Sequence, residues 1–269
     1  MSFHRLRVRP GQRVRLSRID AADTRPFHGG KSRAASLMPA RLGELDRLQE
    51  LFYADGRRGL LVVLQGMDTS GKDGAIRHVF EGVNPQGVRV SSFKVPTANE
   101  LGHDFLWRIH QHTPLRGNIA IFNRSHYEDI LAARVHRLAP KKVLEARYSE
   151  INDFERELTN EGVTILKFYL HIDRAEQGRR LRERLKDPTK QWKLSPSDAR
   201  ERGFWDQYMH AYEEVLRRTS TAWAPWYIVP SNHKWFRNVV ISEILLETLR
   251  GMDLRYPAPK VDLATYRLD

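Results

Sequence analysis

The feature that most constrains this chain is a glycine-bearing loop between an apolar run and a helical pattern. The run is Leu60-Leu61-Val62-Val63-Leu64, and the loop reads Gly66-Met67-Asp68-Thr69-Ser70-Gly71-Lys72-Asp73-Gly74. A buried strand, a loop of this kind holding lysine, and a helix are together typical of a P-loop, in which main-chain N–H groups bind phosphate. The sequence therefore predicts an α/β fold with a phosphate site at the end of this strand.

The loop departs from the usual pattern at one position. Gly66 to Lys72 fits G-x-x-x-x-G-K, but Asp73 stands where a P-loop has the Ser or Thr that supplies a Mg²⁺ ligand. Asp68 adds a second carboxylate, and two acidic groups repel phosphate unless a cation lies between. Lys72 is expected to reach the transferring phosphoryl group. We predict that phosphate is bound by the loop residues Gly66, Thr69, Ser70, Gly71, Lys72, Asp73 and Gly74.

A second polar cluster follows the short apolar strand predicted over 118–123. It reads Phe122-Asn123-Arg124-Ser125-His126-Tyr127-Glu128-Asp129, and its side chains should emerge at the same rim as the loop. Arg124 suits bidentate phosphate binding, and Glu128 and Asp129 offer oxygen ligands for Mg²⁺. A helix start whose acids favour the helix dipole is the alternative interpretation. Beside a loop that lacks its hydroxyl, Asp68 with Asp129 could supply the metal ligands.

A third feature is the basic run from Arg174 to Lys193, which follows a predicted strand as the lid of a nucleotide kinase does. Arg180 and Arg184 lie four residues apart and form one ridge of a helix. Like charges at this spacing destabilise an isolated helix, so an anionic ligand is expected to offset them, and lids of this kind close over phosphates. A solvated basic face is the alternative.

Composition limits the class of protein. The 269 residues carry a formal net charge of +12, which favours polyanionic partners, although an Arg-rich lineage would also produce it. The absence of cysteine excludes disulfides and thiolate sites and agrees with a cytoplasmic location. No apolar stretch is long enough to span a membrane. Met1 to Arg18 holds six arginines and no acid, and its period-two pattern about Pro10-Gly11 predicts a basic arm of extended segments packed on the domain.

The remaining pattern alternates strands with helices, which predicts a parallel sheet covered on both faces. The predicted strands are 60–65, 88–95, 118–123, 164–172 and 226–229, and the predicted helices are 34–54, 75–81, 100–112, 141–160, 175–185, 196–220 and 234–250. We expect a single domain over 1–269, with a basic arm and helix at 1–55, a lid insertion at 173–203 and a C-terminal tail at 251–269.

These motifs together resemble the polyphosphate kinase 2 family over nearly the whole chain. The resemblance rests on the loop at 66–74, with Asp73 after the lysine, and on the stretches Phe27-His28-Gly29-Gly30-Lys31, Phe93-Lys94-Val95-Pro96-Thr97, Phe122 to Asp129 and Trp226-Tyr227-Ile228-Val229-Pro230. It implies a three-layer α/β/α core like that of thymidylate kinase with a helical lid. It also implies reversible, Mg²⁺-dependent phosphoryl transfer, with Mn²⁺ as an alternative, between inorganic polyphosphate and nucleotides.

The resemblance also implies roles for individual residues. Asp68, Lys72, Arg124 and Asp129 would be catalytic, with Asp68 and Asp129 holding the metal. Lys31, Arg124, Arg180 and Arg184 would add to the phosphate and polyphosphate contacts. Glu128, Asn123, Arg179 and Lys193 would bind the nucleotide, and Glu128 marks the subgroup that accepts AMP as well as ADP. The implied partners are AMP, ADP and ATP, with GMP and GDP as alternatives, in a homodimer or homotetramer without nucleic acid or membrane.

Two other functions remain open at this point. An ATP-dependent nucleoside monophosphate kinase would share the fold, but its loop is expected to carry Ser or Thr at position 73. A basic nucleic-acid-binding protein with a degenerate nucleotide site would interleave aromatic residues with the basic run, where only Trp192 occurs. Formation of ATP from ADP and polyphosphate distinguishes the three.

Overall fold

The computed structural model describes residues 3–268, and its framework is a five-stranded parallel sheet. The strand order is β2-β3-β1-β4-β5, and every neighbouring pair is parallel. β1 is buried along its whole length, as expected for a central strand covered on both faces. The predicted α/β class is confirmed. The strands are β1 (Gly59–Gln65), β2 (Val88–Ser92), β3 (Ile119–Asn123), β4 (Val163–His171) and β5 (Trp226–Pro230).

Helices cover the sheet on both faces, which gives the three layers that were expected. One buried apolar cluster joins the sheet to α5, α6 and α9, and a second joins it to α1, α2 and α10. In residues 3–268, no helix is long and apolar enough to cross a membrane. The helices are α1 (Gly30–Asp55), α2 (Lys72–Val79), α3 (Ala98–Leu101), α4 (Trp107–His110), α5 (Glu128–Val135), α6 (Lys141–Asn160), α7 (Arg174–Lys186), α8 (Asp198–Gly203), α9 (Trp205–Thr219) and α10 (Lys234–Arg250).

Several predicted elements differ from the observed ones, and α5 was not predicted as a helix. β2 ends at Ser92 rather than at Val95, whose side chain is 89% exposed and leaves the sheet. The helix predicted over 100–112 is instead the two short helices α3 and α4, because a Thr97–Glu100 capping box starts α3 early and α3 ends at Leu101. The helix predicted over 196–220 is divided at Phe204, directly after Gly203, into α8 and α9.

The N-terminal arm packs on the free edge of the sheet. A turn occurs at Pro10-Gly11 as expected, but 3₁₀ turns at His4–Leu6 and Leu16–Arg18 replace the outer parts of the predicted extended segments. Arg7 forms an antiparallel bridge with Tyr227, and the N–H of Val8 donates to the carbonyl of Trp226 at 2.8 Å. The arm thereby pairs with β5, which would otherwise be an open edge.

A buried polar network lies between the sheet and α6. Lys167 of β4 is fully buried, and its Nζ donates to Glu155 Oε2 at 2.5 Å, to Tyr127 Oη at 2.8 Å and to the carbonyl of Thr219 at 2.7 Å. Burial lowers the pKa of Lys167, and the charge of Glu155 opposes this. Glu155 Oε1 also contacts His126 Nε2 at 3.2 Å and accepts from the Tyr127 hydroxyl at 2.7 Å. The network therefore fixes the turn that immediately precedes α5.

Candidate active site

The loop over 66–74 leaves the carboxyl end of β1 and runs into the first turn of α2. Gly66 has φ 150°, and a Cβ on it would lie 2.7 Å from the carbonyl oxygen of Leu170. Gly71 has φ 99°, and a Cβ there would lie 2.0 Å from Nη1 of Arg237. Both glycines are therefore required by backbone conformation, and Gly66 also by its close approach to a main-chain oxygen. The predicted strand, loop and helix are present, so the N–H groups of the α2 first turn face the loop.

Lys72 is buried at the centre of the loop. Its Nζ donates to the carbonyl of Gly66 at 2.7 Å and to that of Met67 at 3.2 Å. Burial and the nearby charge of Arg124 lower the pKa of Lys72 to about 8, although Asp68, Glu128 and Asp73 oppose the shift. The predicted phosphate-binding lysine thus lies among the charged side chains that were predicted to surround it.

Arg124 and Glu128 approach the loop from the neighbouring strand β3. Arg124 has φ 63°, and its N–H donates to the carbonyl of Leu64 at 3.1 Å, which holds the start of this turn against β1. Arg124 is exposed. Desolvation opposes the charge of Arg124, but Glu128 and Asp68 outweigh this effect and raise the pKa of the guanidinium. The structure therefore brings Arg124, Glu128, Asp68 and Lys72 together at one rim.

Asp68 and Asp129, the predicted metal ligands, have different arginine partners. Asp68 Oδ2 lies 3.6 Å from Arg184 Nη1, and its side chain is 36% exposed. Asp129 Oδ2 lies 3.2 Å from Arg108 Nη2 in a more enclosed position, where burial raises the pKa of Asp129 against the opposing charge of Arg108. In residues 3–268, no group of three or more His, Asp or Glu side chains could hold a metal ion alone.

This donor set nevertheless fits a magnesium ion that is bound together with a substrate. Mg²⁺ is usually held by one or two carboxylates and completes its shell with water and phosphate oxygens, rather than by a cage of protein ligands. The partly exposed carboxylate of Asp68 suits this arrangement, while that of Asp129 is held by Arg108. Asp68 and Asp129 as ligands remain a prediction.

Asp73, the residue that departs from the usual motif, joins three elements. Its Oδ1 accepts from Asn123 Nδ2 at 2.8 Å, and its Oδ2 lies 3.2 Å from Lys193 Nζ. Asp73 lies on α2, Asn123 ends β3, and Lys193 lies between α7 and α8. The predicted nucleotide-binding residues Asn123 and Lys193 are therefore beside the loop, where both contact a carboxylate.

The arginines of α7 have different environments. Arg184 is half-buried and faces Asp68, so it lies at the site. Arg180 is buried, and each of its five N–H groups has an acceptor: the side chain of Glu176 and the carbonyls of Thr69, Ser70, Ser231 and Asn232. No donor of Arg180 remains for an anion. Arg180 as a polyphosphate ligand stays a prediction; in this structure its guanidinium holds the loop against the segment that follows β5.

Two other predicted residues, Arg179 and Lys31, are exposed. Arg179 is exposed and pairs with the carboxylates of Glu176 and Glu183 on its own helix. Lys31 is exposed in the first turn of α1. The Phe27 ring before it meets the Trp235 ring with centroids 5.9 Å apart, which places the start of α1 beside the first turn of α10.

Several residues that support the site were missed by the sequence interpretation. Arg108 pairs with Asp129, and its Nη1 also donates to the carbonyl of Lys94 at 2.9 Å. Arg237 packs against Gly71, and burial lowers its pKa to about 10. Arg108 and Arg237 are charged residues at buried positions of helices. A charge at such a position in a helical pattern indicates a buried contact, but it does not indicate which residue is contacted.

The chain matches a known protein family over most of its length. The family model of polyphosphate kinase 2 matches residues 31–257. The chain belongs to the polyphosphate kinase 2 family. It is 53% identical to the AMP/ADP-polyphosphate phosphotransferase of Meiothermus ruber, over 94% of this chain and 95% of that protein. It is 41% identical to the ADP-polyphosphate phosphotransferase of Rhodopseudomonas palustris, over 93% and 91% of the two chains.

Its fold matches that of a solved member of this family. The crystal structure of polyphosphate kinase 2 from Arthrobacter aurescens TC1 superposes with a TM-score of 0.92 at 43% identity, over 96% of this chain and 92% of that one. The layered fold that was expected from the family resemblance is therefore shared with a solved family member. The family also identifies the protein as an enzyme.

Proposed function

We propose that this protein transfers the terminal phosphoryl group of inorganic polyphosphate to ADP and to AMP, and that the transfer is reversible. The observation that carries the proposal is the convergence of Lys72 and Arg124 on one rim with the carboxylates of Asp68 and Glu128. Membership in the polyphosphate kinase 2 family supports it, as does the high identity to a relative named for both acceptors.

The protein groups at this rim would act by position and charge. An oxygen of the acceptor phosphate attacks the terminal phosphorus of polyphosphate, a new P–O bond forms, and the shortened chain leaves with the electron pair of the broken bond. Such a transfer needs no protein nucleophile, because alignment and neutralisation of charge lower its barrier. Lys72 and the N–H groups of the loop would hold the transferring group, and Arg124 and Arg184 would bind the phosphates on either side.

Magnesium is proposed as the cofactor, with manganese as a substitute. Asp68 would hold it, and Asp129 would be its second carboxylate ligand, in exchange for the pairing with Arg108. When bound, such an ion would neutralise phosphate charge. Chelation with EDTA should abolish ATP formation, and Mg²⁺ or Mn²⁺ in excess should restore it; full activity in EDTA would contradict this part of the proposal.

The decisive test uses purified protein, Mg²⁺, ADP and long-chain polyphosphate without any ATP. We expect ATP to form, and we expect ADP to form when AMP replaces ADP. Lys72→Ala and Asp68→Asn should each lose activity by at least about a hundredfold, the usual scale for a removed transition-state contact. Near-normal turnover in either folded variant would contradict the proposal. Formation of ADP from AMP and ATP alone, without use of polyphosphate, would instead identify a nucleoside monophosphate kinase.

A homodimer or homotetramer, a cytoplasmic location and use of GMP or GDP remain predictions of the family resemblance. Exposed apolar side chains in the C-terminal segment, among them Tyr256, Leu263 and Leu268, are compatible with a contact between copies. Light scattering coupled to size exclusion would measure the state of assembly. A monomer at micromolar concentration would contradict that prediction.

A further inference from the structure

Gln65 is the last residue of β1 and directly precedes Gly66 of the loop. β1 is the central strand of the sheet, and the Gln65 side chain is fully buried. Burial of an amide costs free energy unless its polar atoms find partners. A glutamine at the end of an otherwise apolar strand must therefore be understood from the groups that its side chain contacts.

The Gln65 amide satisfies both of its polar atoms in one of its two orientations. In that orientation, the nitrogen donates to Glu128 Oε1 at 3.1 Å, and the oxygen accepts from the hydroxyl and from the N–H of Ser125, each at 3.1 Å. In the opposite orientation, the amide oxygen would face the carboxylate of Glu128, so that two acceptors would be in contact. The bond to Glu128 involves a carboxylate, and hydrogen bonds of this kind are stronger than neutral ones.

Glu128 lies where its orientation matters for transfer. It is half-buried at the start of α5, and its charge acts on Lys72 and on Arg124. Without a fixed position, this carboxylate would turn towards one of these two cations and neutralise a group that is needed for phosphate. Held by Gln65, it instead presents a fixed negative charge beside the transfer point. Coulomb repulsion from such a charge depends on distance and on the charge of the acceptor.

We propose that Gln65 is a positioning residue that sets the preference between AMP and ADP by fixing the Glu128 carboxylate. This inference rests on the proposed transferase function. ADP carries one phosphate more than AMP, so a fixed carboxylate disfavours ADP more strongly, and release of the carboxylate reduces that difference. Gln65 therefore connects the strand of the phosphate loop to the acceptor side of the site.

The experiment measures kcat and KM for AMP, for ADP and for polyphosphate in the wild type and in Gln65→Met, which keeps the length of the side chain without its hydrogen bonds. We expect kcat/KM for AMP to fall about tenfold, the scale of one hydrogen bond to a charged group. The ratio of AMP to ADP in kcat/KM should fall at least about threefold, because the repulsion of ADP is relieved. The KM for polyphosphate should stay within about twofold, because the loop itself is unchanged.

A double-mutant cycle separates positioning from general damage. In a Glu128→Gln background, Gln65→Met should change the AMP to ADP ratio by less than about 1.5-fold, since the carboxylate that it orients is absent. Gln65→Glu should impair the enzyme more than Gln65→Met, because it places two carboxylates in contact. The exchange Gln65→Glu with Glu128→Gln restores an amide and a carboxylate facing each other and should recover at least about tenfold over Gln65→Glu alone.

Gln49→Met is the matched control, because Gln49 is also a fully buried glutamine but contacts Asn84 far from the loop. It should lower the melting temperature without a change in the AMP to ADP ratio. Equal effects of Gln65→Met in both backgrounds, or a ratio that Gln65→Met leaves unchanged, would overturn the inference. A wild type that makes no ATP from ADP and polyphosphate would overturn the proposed function itself, so the two failures are distinguishable.

Discussion

Arg180 and Arg184 lie one turn apart on α7, yet the two guanidinium groups have different surroundings. Arg180 gives all of its guanidinium N–H groups to protein acceptors, among them two carbonyls of the 66–74 loop. Arg184 Nη1 lies 3.6 Å from the carboxylate of Asp68. At the scale of the residue, the function of a charged side chain is thus decided by how many of its donors the fold has already used.

These surroundings predict opposite consequences for the two arginines. Arg180→Met should lower the free energy of unfolding by about 3 kcal/mol or more, because it leaves several buried main-chain carbonyls without their donor. Arg184→Ala should change that stability by less than about 1 kcal/mol but raise the KM for polyphosphate several-fold. Urea unfolding and steady-state kinetics measure the two effects. A normal stability of Arg180→Met with a raised KM for polyphosphate would restore Arg180 as a binding residue.

The lowered pKa of Lys72 predicts that kcat/KM depends on pH through this one group. Its pKa of about 8 in the folded protein, against an ordinary value of 10.5, means that its charge is lost as the pH rises through about 8. If charged Lys72 is required, kcat/KM for polyphosphate should fall about tenfold per pH unit above that value. The pKa seen in kcat should be higher, because bound phosphate favours the charged form.

The same shift has a consequence for stability with a defined sign. The unfolded chain binds a proton on Lys72 up to its ordinary pKa of 10.5, whereas the folded protein releases it near 8, so this group makes unfolding less favourable as the pH rises between these values.

Lys72→Arg, with a side chain that stays charged throughout, should remove the decline of kcat/KM with pH even if its activity is low. A wild-type profile that is flat between pH 7 and about 10 would contradict the assignment.

At the scale of elements, the site is assembled by short contacts between segments that are distant in the chain. Asp73 joins α2 to the end of β3 through Asn123 and to the segment between α7 and α8 through Lys193. The ion pair is partly exposed, with 63% of the Asp73 side chain accessible. A pair of this kind contributes little to global stability, but it can hold one segment against another.

We predict that Asp73 and Lys193 are coupled in kinetics rather than in stability. Asp73→Ala and Lys193→Ala should each raise the KM for the nucleotide several-fold, and the double variant should be no worse than the poorer single one. The coupling energy should be at most about 1 kcal/mol, the scale of an exposed ion pair. Thermal unfolding controls for damage to the fold. Additive effects of the two substitutions would indicate that each residue binds substrate independently.

For the whole molecule, charge and architecture act together. Two apolar clusters on opposite faces of one sheet hold the carboxyl ends of β1 and β3 side by side, and the 66–74 loop and the turn that contains Arg124 both start there. The formal net charge of +12 then adds a long-range attraction for polyanions, which is screened by salt.

Salt should therefore affect the two substrates unequally. Raising monovalent salt from about 50 to about 200 mM should increase the KM for long-chain polyphosphate on the order of tenfold, by analogy with nucleic-acid backbones. The KM for AMP, which carries far less charge, should change by less than about threefold under the same conditions. Comparison of long chains with tripolyphosphate serves as the control, because fewer contacts give a smaller salt slope. Equal slopes for all three ligands would exclude an extended basic contact.

The sequence alone determined those features whose causes are local. The loop of 66–74 follows from glycines between a strand and a helix, and the helix of Lys141–Asn160 was predicted with its observed ends from its periodicity. The parallel sheet followed from the alternation of elements. The short helices between β2 and β3 were predicted as a single helix, because a capping box at Thr97 and a stop at Gly102 are weak signals within a periodic pattern.

Only the tertiary structure decided which of the predicted side chains meet. Gln65 and Glu128, Asp73 and Lys193, and Arg180 and the carbonyl of Thr69 are separated in the chain by more than 60 residues, so no local pattern specifies these partners. Close packing selects among the many arginines those that are buried and those that stay open to an anion, because a buried donor must be satisfied by the nearest acceptor. The sequence indicates that charged side chains lie at this rim, and the folded structure determines which group each of them contacts.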